Sequence, residues 1–310
     1  MKLFVYPELT ASAKALLLQQ LPEEHAVSFA KELSYEQALD AFQDADALLG
    51  NPPVEWFSRP LPALRFWQLS SAGFNQYDTL ELNAVVCNMG DFFARPCAET
   101  IVGGVLAFLR GIHELTRLQQ SRNWKSKMIR PDLKLLGNSR VLVLGAGNIG
   151  LLVKQQLLGF GAEVLMAARS NPVADIVAEK AVFEILPVID IIINTLPGSA
   201  DKYVSESFIR AMKPGAVYAN VGRGNTTDEA ALLDALRDGR LAGAVLDVTE
   251  QEPLPEGSPF WEMNNVILTQ HTGGGQEREE EGFVRYFLKN FSSFESGQDP
   301  EDRVQLRKGY

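Results

Sequence analysis

The chain of 310 residues is 46% hydrophobic and 22% charged, and 29 basic against 39 acidic residues leave a formal net charge of −10. Such a composition excludes disorder and collagen-like repeats, and the acidic balance opposes nucleic acid or an anionic membrane surface as the primary partner. The length suggests about two domains, because single cores seldom grow beyond ~250 residues.

The apolar stretches are short: Ile101–Leu109, with two glycines inside it, falls well below the roughly 18 residues of a membrane span. The opening MKLFVYPELT turns polar too early for a secretory segment, so a cytoplasmic protein is expected. Cys87 and Cys97 are too few for a disulfide scaffold and have no second pair or histidine at zinc spacing. Both read as semi-buried thiols, and no metal is expected.

In chain order, LFVY, a Leu-rich segment from Thr10, ADALLG, LRFWQLS and AVVCN alternate short apolar runs with helix-like stretches, the pattern of a small α/β unit. Pro96–Gln120 predicts one long helix, since Ala98, Ile101, Val105, Phe108, Ile112 and Leu115 recur at three- and four-residue spacing. Arg122–Gly137 reads as a connecting loop carrying Trp124, a residue of a pocket wall or of plain packing. From Ser139, strand and helix repeat: RVLVLG, a helix to Phe160, AEVLMAA, DIIINTL, a helix near Ser205–Met212, AVYANVG, Asp228–Arg237, AGAVLDV and NVILTQH. This alternation implies a mostly parallel, doubly wound sheet with right-handed crossovers. A last helix is predicted over Gln276–Phe291, where the Glu277–Glu281 cluster complements the helix dipole, and a polar tail follows.

Gly145-Ala146-Gly147-Asn148-Ile149-Gly150 matches G-x-G-x-x-G. Alone the match is weak, but VLVL before it reads as a buried strand and LLVKQQLLGFG after it as a helix. That setting aims backbone amides and a helix N-terminus at a pyrophosphate. The plainer alternative is a tight turn without a ligand. Eighteen positions beyond Gly150 stand Ala168, Arg169 and Ser170, where an acidic residue would bind the ribose 2′-hydroxyl of NAD. No carboxylate there repels a 2′-phosphate, and a guanidinium pairs with one through its planar fork of donors. NADP(H) is therefore the expected cofactor, with NAD, or acceptance of both, as the alternative.

Three segments, ANVGRGNTTDEAAL, LDVTEQEPLP and NVILTQHTGGG, put ionisable residues just after strands, where open α/β sheets bind ligands. Together with LSSAGFNQYD, GAGNIG, MKPGAVYANVGRG and the final KGY, they resemble the D-isomer-specific 2-hydroxyacid dehydrogenases over nearly the whole chain. The resemblance implies an α/β fold of two doubly wound parallel-sheet domains. A Rossmann-type dinucleotide-binding domain, 98–275, would be inserted into a smaller, flavodoxin-like substrate-binding domain, 1–97 with 276–310, with the active site in the cleft between them.

By the same resemblance, Arg223 grips the substrate carboxylate and polarises its carbonyl, His271 is the acid/base, and Glu252 is its carboxylate partner. Glu250 is the rival to Glu252, set aside because the family's partner lies next to proline. Val221, Gly222, Arg223, Asp247, His271 and Gly273 are implied at the nicotinamide end, and Leu196 and Pro197 on the adenosine side. Ser71, Ala72, Gly73 and Phe74 match a loop whose amides hold the substrate carboxylate, and Asn51 is a further pocket candidate. The chemistry agrees: reduction of a 2-keto acid needs a proton at the carbonyl oxygen, and imidazole titrates close to working pH. Of the three histidines, His25 sits in a polar turn and His113 on the long helix away from its apolar positions, so only His271 follows a strand of the nucleotide-binding sheet.

The sequence departs from the family pattern: the acidic ribose residue is missing, Gln270 stands where proline is usual, HTGGG replaces the commoner HIAG, and Thr227 replaces a β-branched apolar residue. None removes a reacting group. The implied function is reduction of a small 2-keto acid to the D-2-hydroxy acid, with glyoxylate and hydroxypyruvate the leading substrates. A homodimer is expected, with the Pro96–Gln120 helix as a contact. The reading from another class is a dinucleotide-sensing corepressor of the C-terminal-binding-protein kind, which keeps the same Arg, Glu and His but turns over little; the absence of an extended tail for recruiting partners favours the enzyme.

Overall fold

In the computed structural model, which describes residues 1–169 and 171–308, the chain divides into two units: Met1–Phe93 with Gln276–Tyr310, and Ala94–Gly275. In the first, β1 (Lys2–Val5), β2 (Ala26–Phe29), β3 (Ala47–Leu49), β4 (Phe66–Gln68) and β5 (Val85–Cys87) form a parallel sheet in the order β2-β1-β3-β4-β5. Alternation along each strand divides its side chains between two cores. Leu3, Val5, Leu49 and Phe66 cluster with Leu17 of α1 (Ala11–Gln20) and with Phe283, Phe287 and Phe291 of the C-terminal helix Glu279–Glu295. Phe4, Leu48 and Trp67 cluster with Ala38 and Phe42 of α2 (Tyr35–Gln43) and with Trp56. Thr10 caps α1, and Ser34 with Gln37 forms a capping box on α2.

In the second unit, α3 (Ala94–Leu109), α4 (Ile112–Gln120) and the single turn α5 (Ser126–Ile129) precede an alternating run. It comprises β6 (Arg140–Leu144), α6 (Asn148–Gly159), β7 (Glu163–Ala167), α7 (Glu179–Ile185), β8 (Ile191–Asn194), α8 (Glu206–Ala211), β9 (Val217–Asn220), α9 (Glu229–Arg237), β10 (Gly243–Leu246) and β11 (Val266–Leu268). The six strands are parallel, in the order β11-β10-β9-β8-β6-β7. Strands β8, β9 and β10 are buried throughout, as Val/Ile-rich strands covered on both faces must be. Strand order reverses between β6 and β8, so the crevice beyond their carboxyl ends is where such a sheet binds ligands. Both units are doubly wound parallel-sheet α/β structures, as expected. The C-terminal helix Glu279–Glu295, α10 in chain order, carries Glu279, Glu280 and Glu281 in its first turn.

Several local expectations need correction. The apolar spacing from Ala98 to Leu115 does not make one helix: Gly111, at φ +64°, takes the left-handed conformation that ends α3, and Ile112 and Leu115 beyond it are exposed. Residues 94–97 begin α3 and so belong with the second unit. His25 does close a polar turn, its amide donating to the Pro22 carbonyl at 3.1 Å, but its side chain is only 3% exposed, edge-on to Phe291 and 3.1 Å from Glu295, with Nδ1 3.0 Å from the N-terminal amine. His113 is half-buried and stacks on Phe108 at 5.0 Å, and burial pushes its pKa down. Trp124 packs against nothing substantial, being 90% exposed. Both cysteines are buried rather than semi-buried. Among the described residues, no helix is long and apolar enough to cross a membrane.

Asn290 ties α10 to the sheet of the first unit. It is buried, donates to Gln68 Oε1 at 2.9 Å and to the Glu301 carbonyl at 3.1 Å, and accepts from the Glu301 amide. Asn290→Ala leaves the buried Gln68 Oε1 without its Asn290 donor and the Glu301 amide and carbonyl without their Asn290 partners, so it should lower the stability of the first unit by about 2 kcal/mol. Denaturant unfolding followed by the near-ultraviolet signal of Trp56 and Trp67 checks this.

Candidate active site

The glycine loop follows β6. Gly145 sits at φ +101° and a Cβ on it would lie 2.6 Å from Thr195 Oγ1, while a Cβ on Gly150 would lie 2.3 Å from the Gly145 carbonyl. Gly147 is the N-cap of α6, makes no side-chain cap, and faces open space. The first amides of a helix have no intrahelical acceptor, so the loop presents donors and a helix N-terminus with no side chain in front of them. That fits a pyrophosphate. The loop is braced by Asn171, whose Nδ2 donates to the Ala146 carbonyl at 2.7 Å, and Gly145 donates to Ala167 at the end of β7. Ala168 follows that strand and bonds to Ile176, and Arg169 is exposed beside it. Ser170 lies outside the described residues.

Further along the same edge, Asn220, Leu246 and Leu268 are register partners at the ends of β9, β10 and β11. Arg223, Glu252 and His271 lie within a few residues of these ends. The loops touch: a Cβ on Gly222 would lie 2.5 Å from the Leu196 carbonyl, one on Gly224 1.9 Å from the Thr249 carbonyl, and one on Gly273 2.5 Å from Asp247 Oδ2. Val221 meets Gly273 as well, and Pro197 follows Leu196. Sequence-predicted residues of four separate loops are thus brought together.

His271 Nδ1 and Glu252 Oε2 are 2.5 Å apart, and Glu252 Oε1 accepts the Thr249 amide at 3.0 Å. Glu250, the rival, is instead ion-paired to Lys202 at 3.1 Å. Arg223 is partly exposed and its Nη1 donates to the Gly222 carbonyl at 2.8 Å. Asp247 is buried, and its carboxylate accepts Thr269 Oγ1 at 2.6 Å, the Thr272 amide at 3.1 Å and the Gly273 amide at 3.0 Å. It holds the histidine loop. Cys97 on α3 is a neutral thiol, pushed up to about 11 by burial and by the Asp247 charge, with Arg223 opposing.

The departures from the family pattern have local explanations. Gln270 and His271 both have φ +54°, a conformation that the proline ring forbids. Thr227 is buried beneath the Arg223 loop and its hydroxyl lies 2.5 Å from the hydroxyl of fully buried Tyr218. Burial pushes the Tyr218 phenol up, so it stays a donor.

In the first unit, Asn51 donates to Ser71 Oγ at 2.8 Å and accepts the Ser70 amide at 3.0 Å. The carbonyls of Ser71, Ala72 and Gly73 accept from Met89, Asn88 and Ser71 Oγ. Among the described residues, the amides of Ser71, Ala72 and Gly73 find no acceptor. Loops of this kind hold anions. Phe74, next in the motif, is buried in the core instead.

Residues 102–273 match the family described as D-isomer specific 2-hydroxyacid dehydrogenase, NAD binding domain. The chain belongs to the D-isomer-specific 2-hydroxyacid dehydrogenase family. It is 30% identical to a glyoxylate reductase of Thermococcus gammatolerans, over 88% of this chain and 87% of that protein. A family protein from Aeromonas salmonicida has a solved structure similar to this one, with a TM-score of 0.85, 27% identity and coverage of 98% and 99%. A D-isomer specific 2-hydroxyacid dehydrogenase from Xanthobacter autotrophicus, solved with NADPH and MES, has a TM-score of 0.82, 25% identity and coverage of 99% of each chain. The protein is accordingly a dehydrogenase that uses a nicotinamide dinucleotide. Asn171, Tyr218 and Glu229 carry no motif of their own, and sequence reasoning missed them.

Thr227→Val leaves the buried Tyr218 hydroxyl without its acceptor and should cost about 1–3 kcal/mol. Adding Tyr218→Phe should recover part of that loss, a coupling of about 1 kcal/mol in a double-mutant cycle read by denaturant unfolding.

Proposed function

We propose that this dehydrogenase reduces a small 2-keto acid with NADPH, giving the D-2-hydroxy acid. The observation that carries the reading is the 2.5 Å pairing of His271 with Glu252 on loops adjoining Arg223. The bound nicotinamide supplies the hydride. Gly145, Ala146, Gly147, Asn148, Ile149 and Gly150 would hold its pyrophosphate, Leu196, Pro197 and Ala168 the adenosine side, and Val221, Gly222 and Gly273 the nicotinamide end. Arg169, preceded by Ala168 rather than by an acidic residue after β7, supports a preference for the 2′-phosphate.

Arg223 grips the substrate carboxylate and stabilises negative charge as it develops on the carbonyl oxygen. His271 gives that oxygen its proton from the ring nitrogen not bonded to Glu252, and Glu252 stabilises the imidazolium. Asp247, its carboxylate committed to the histidine loop, acts by holding His271 in place. Within the first unit, the amides of Ser71, Ala72 and Gly73 would offer donors to a carboxylate. Glyoxylate and hydroxypyruvate are the leading substrates, supported by the name of the Thermococcus relative.

A test measures NADPH and NADH oxidation with glyoxylate, hydroxypyruvate, pyruvate, phenylpyruvate and 2-ketoisocaproate. Turnover should favour NADPH and fall by about 10²–10⁴ in His271→Ala. Arg169→Ala should raise the KM for NADPH about tenfold and leave that for NADH unchanged. Tight dinucleotide binding without turnover on any keto acid would replace the enzyme with a sensor.

We also propose a homodimer. Ile112, Leu115, Trp124, Met128 and Leu135 are large apolar side chains left exposed over one stretch of the second unit, Trp124 at 90%. Light scattering should give twice the chain mass, and Trp124→Glu should shift the chain toward monomer.

A further inference from the structure

The loop that carries Glu252 is gripped by a carboxylate from another element. Glu229 opens α9, and its Oε1 accepts the Glu250 amide at 2.5 Å. The helix does not need it. Asp228 already caps α9 by accepting the Ala231 amide at 3.1 Å, and the buried face is Leu232, Ala235 and Leu236. The position is also unfavourable for a carboxylate: burial raises the pKa of Glu229 most, and the charges of Glu250 and Glu252 raise it further, against the Glu250 amide and Lys202.

What the contact does follows from the loop's internal bonding. The Thr249 amide donates to Glu252 Oε1 at 3.0 Å and Thr249 Oγ1 donates to the Gln251 carbonyl at 2.8 Å, closing 249–252 into one turn. Lys202 pairs with the side chain of Glu250 while Glu229 holds its amide. Gly224, two residues before Thr226 and five before Glu229, lies against the Thr249 carbonyl. The Arg223 loop, through Gly224, and the start of α9, through Glu229, therefore both touch the acid loop.

We propose that Glu229 is a positioning residue: by fixing the Glu250 amide it sets where Glu252 meets His271. This rests on the reading of His271 and Glu252 as the proton-transfer pair. Glu229→Gln keeps a carbonyl acceptor for the amide, whereas Glu229→Ala removes it. The readout is the single-turnover rate of NADPH oxidation by glyoxylate, expressed per site that binds NADPH in a fluorescence titration, so that misfolded chains do not count.

Glu229→Ala should slow that step by about tenfold or more, with the KM for glyoxylate and the Kd for NADPH changed less than about twofold. Glu229→Gln should restore the rate to within about threefold of the unaltered enzyme. A Glu229→Ala rate within about twofold of the unaltered enzyme, or a Glu229→Gln rate as slow as that of Glu229→Ala, overturns the proposal. Should Glu229→Ala bind no NADPH, Glu229→Asp, which draws the acceptor back by one methylene, takes its place under the same limits. His271→Ala separates the two readings. Full turnover in it defeats the proton-transfer assignment itself, whereas a dead His271→Ala beside an unaffected Glu229→Ala defeats only the role of Glu229.

Discussion

Asn194 and Asn220 end two neighbouring strands and Asp247 follows the end of a third, and each turns a buried polar side chain back onto a loop leaving the sheet. Asn194 Oδ1 accepts the Leu196 amide and Asn220 Oδ1 the Gly222 amide, both at 3.0 Å, and Asp247 takes the Thr272 and Gly273 amides. The Gly222 and Gly273 amides are buried where they leave the ladder, so each needs a protein acceptor, and those of Leu196 and Thr272 are partly buried. The remaining valences are filled inward: Asn194 Nδ2 donates to Tyr218 and Thr226, and Asn220 Nδ2 to the Arg223 carbonyl and Thr227. A buried network satisfied at every member has one arrangement, because any other leaves a donor unpaired in a medium of low dielectric. The loops that carry Leu196, Arg223 and His271 inherit that single arrangement.

The frame would still leave the loops apart if side chains stood between them. Glycine at 222 and 224 lets backbone approach backbone, and glycine at 273 lets the Asp247 carboxylate approach, since a Cβ at each would lie between 1.9 and 2.5 Å from a neighbouring atom. Conformational freedom is not the reason for glycine here; none of the three has a positive φ. Space is. Arg223 therefore stands between two glycines that fasten it to the Leu196 loop on one side and the Glu252 loop on the other.

Much of this was legible in the sequence, and for physical reasons. Strands buried on both faces must be continuous apolar runs, so RVLVL, IIIN, VYAN and GAVL announce the sheet, and the glycine loop is readable because its strand and helix flank it. What escaped depends on pairings that register alone creates. Tyr218 and Thr227 look like a lapse from apolar pattern until the sheet sets one hydroxyl against the other. Periodicity also ran through Gly111, because spacing is blind to the sign of φ. Asn171 and Glu229 act through backbone atoms distant in sequence, and no residue type marks a backbone partner in advance.

Gln270 and His271 carry this furthest. Two successive side-chain-bearing residues at φ +54° cost about 1 kcal/mol or more each, and nothing in HTGGG relieves it. The offset comes from Asp247: its backbone carbonyl accepts the His271 amide at 2.6 Å and its charged carboxylate accepts three further donors from the same loop. Hydrogen bonds to a buried charge are worth about 1.5–3 kcal/mol each, enough to hold the turn in a conformation it would otherwise leave. The histidine faces Glu252 because Asp247 has already spent its hydrogen-bonding capacity on bending the chain.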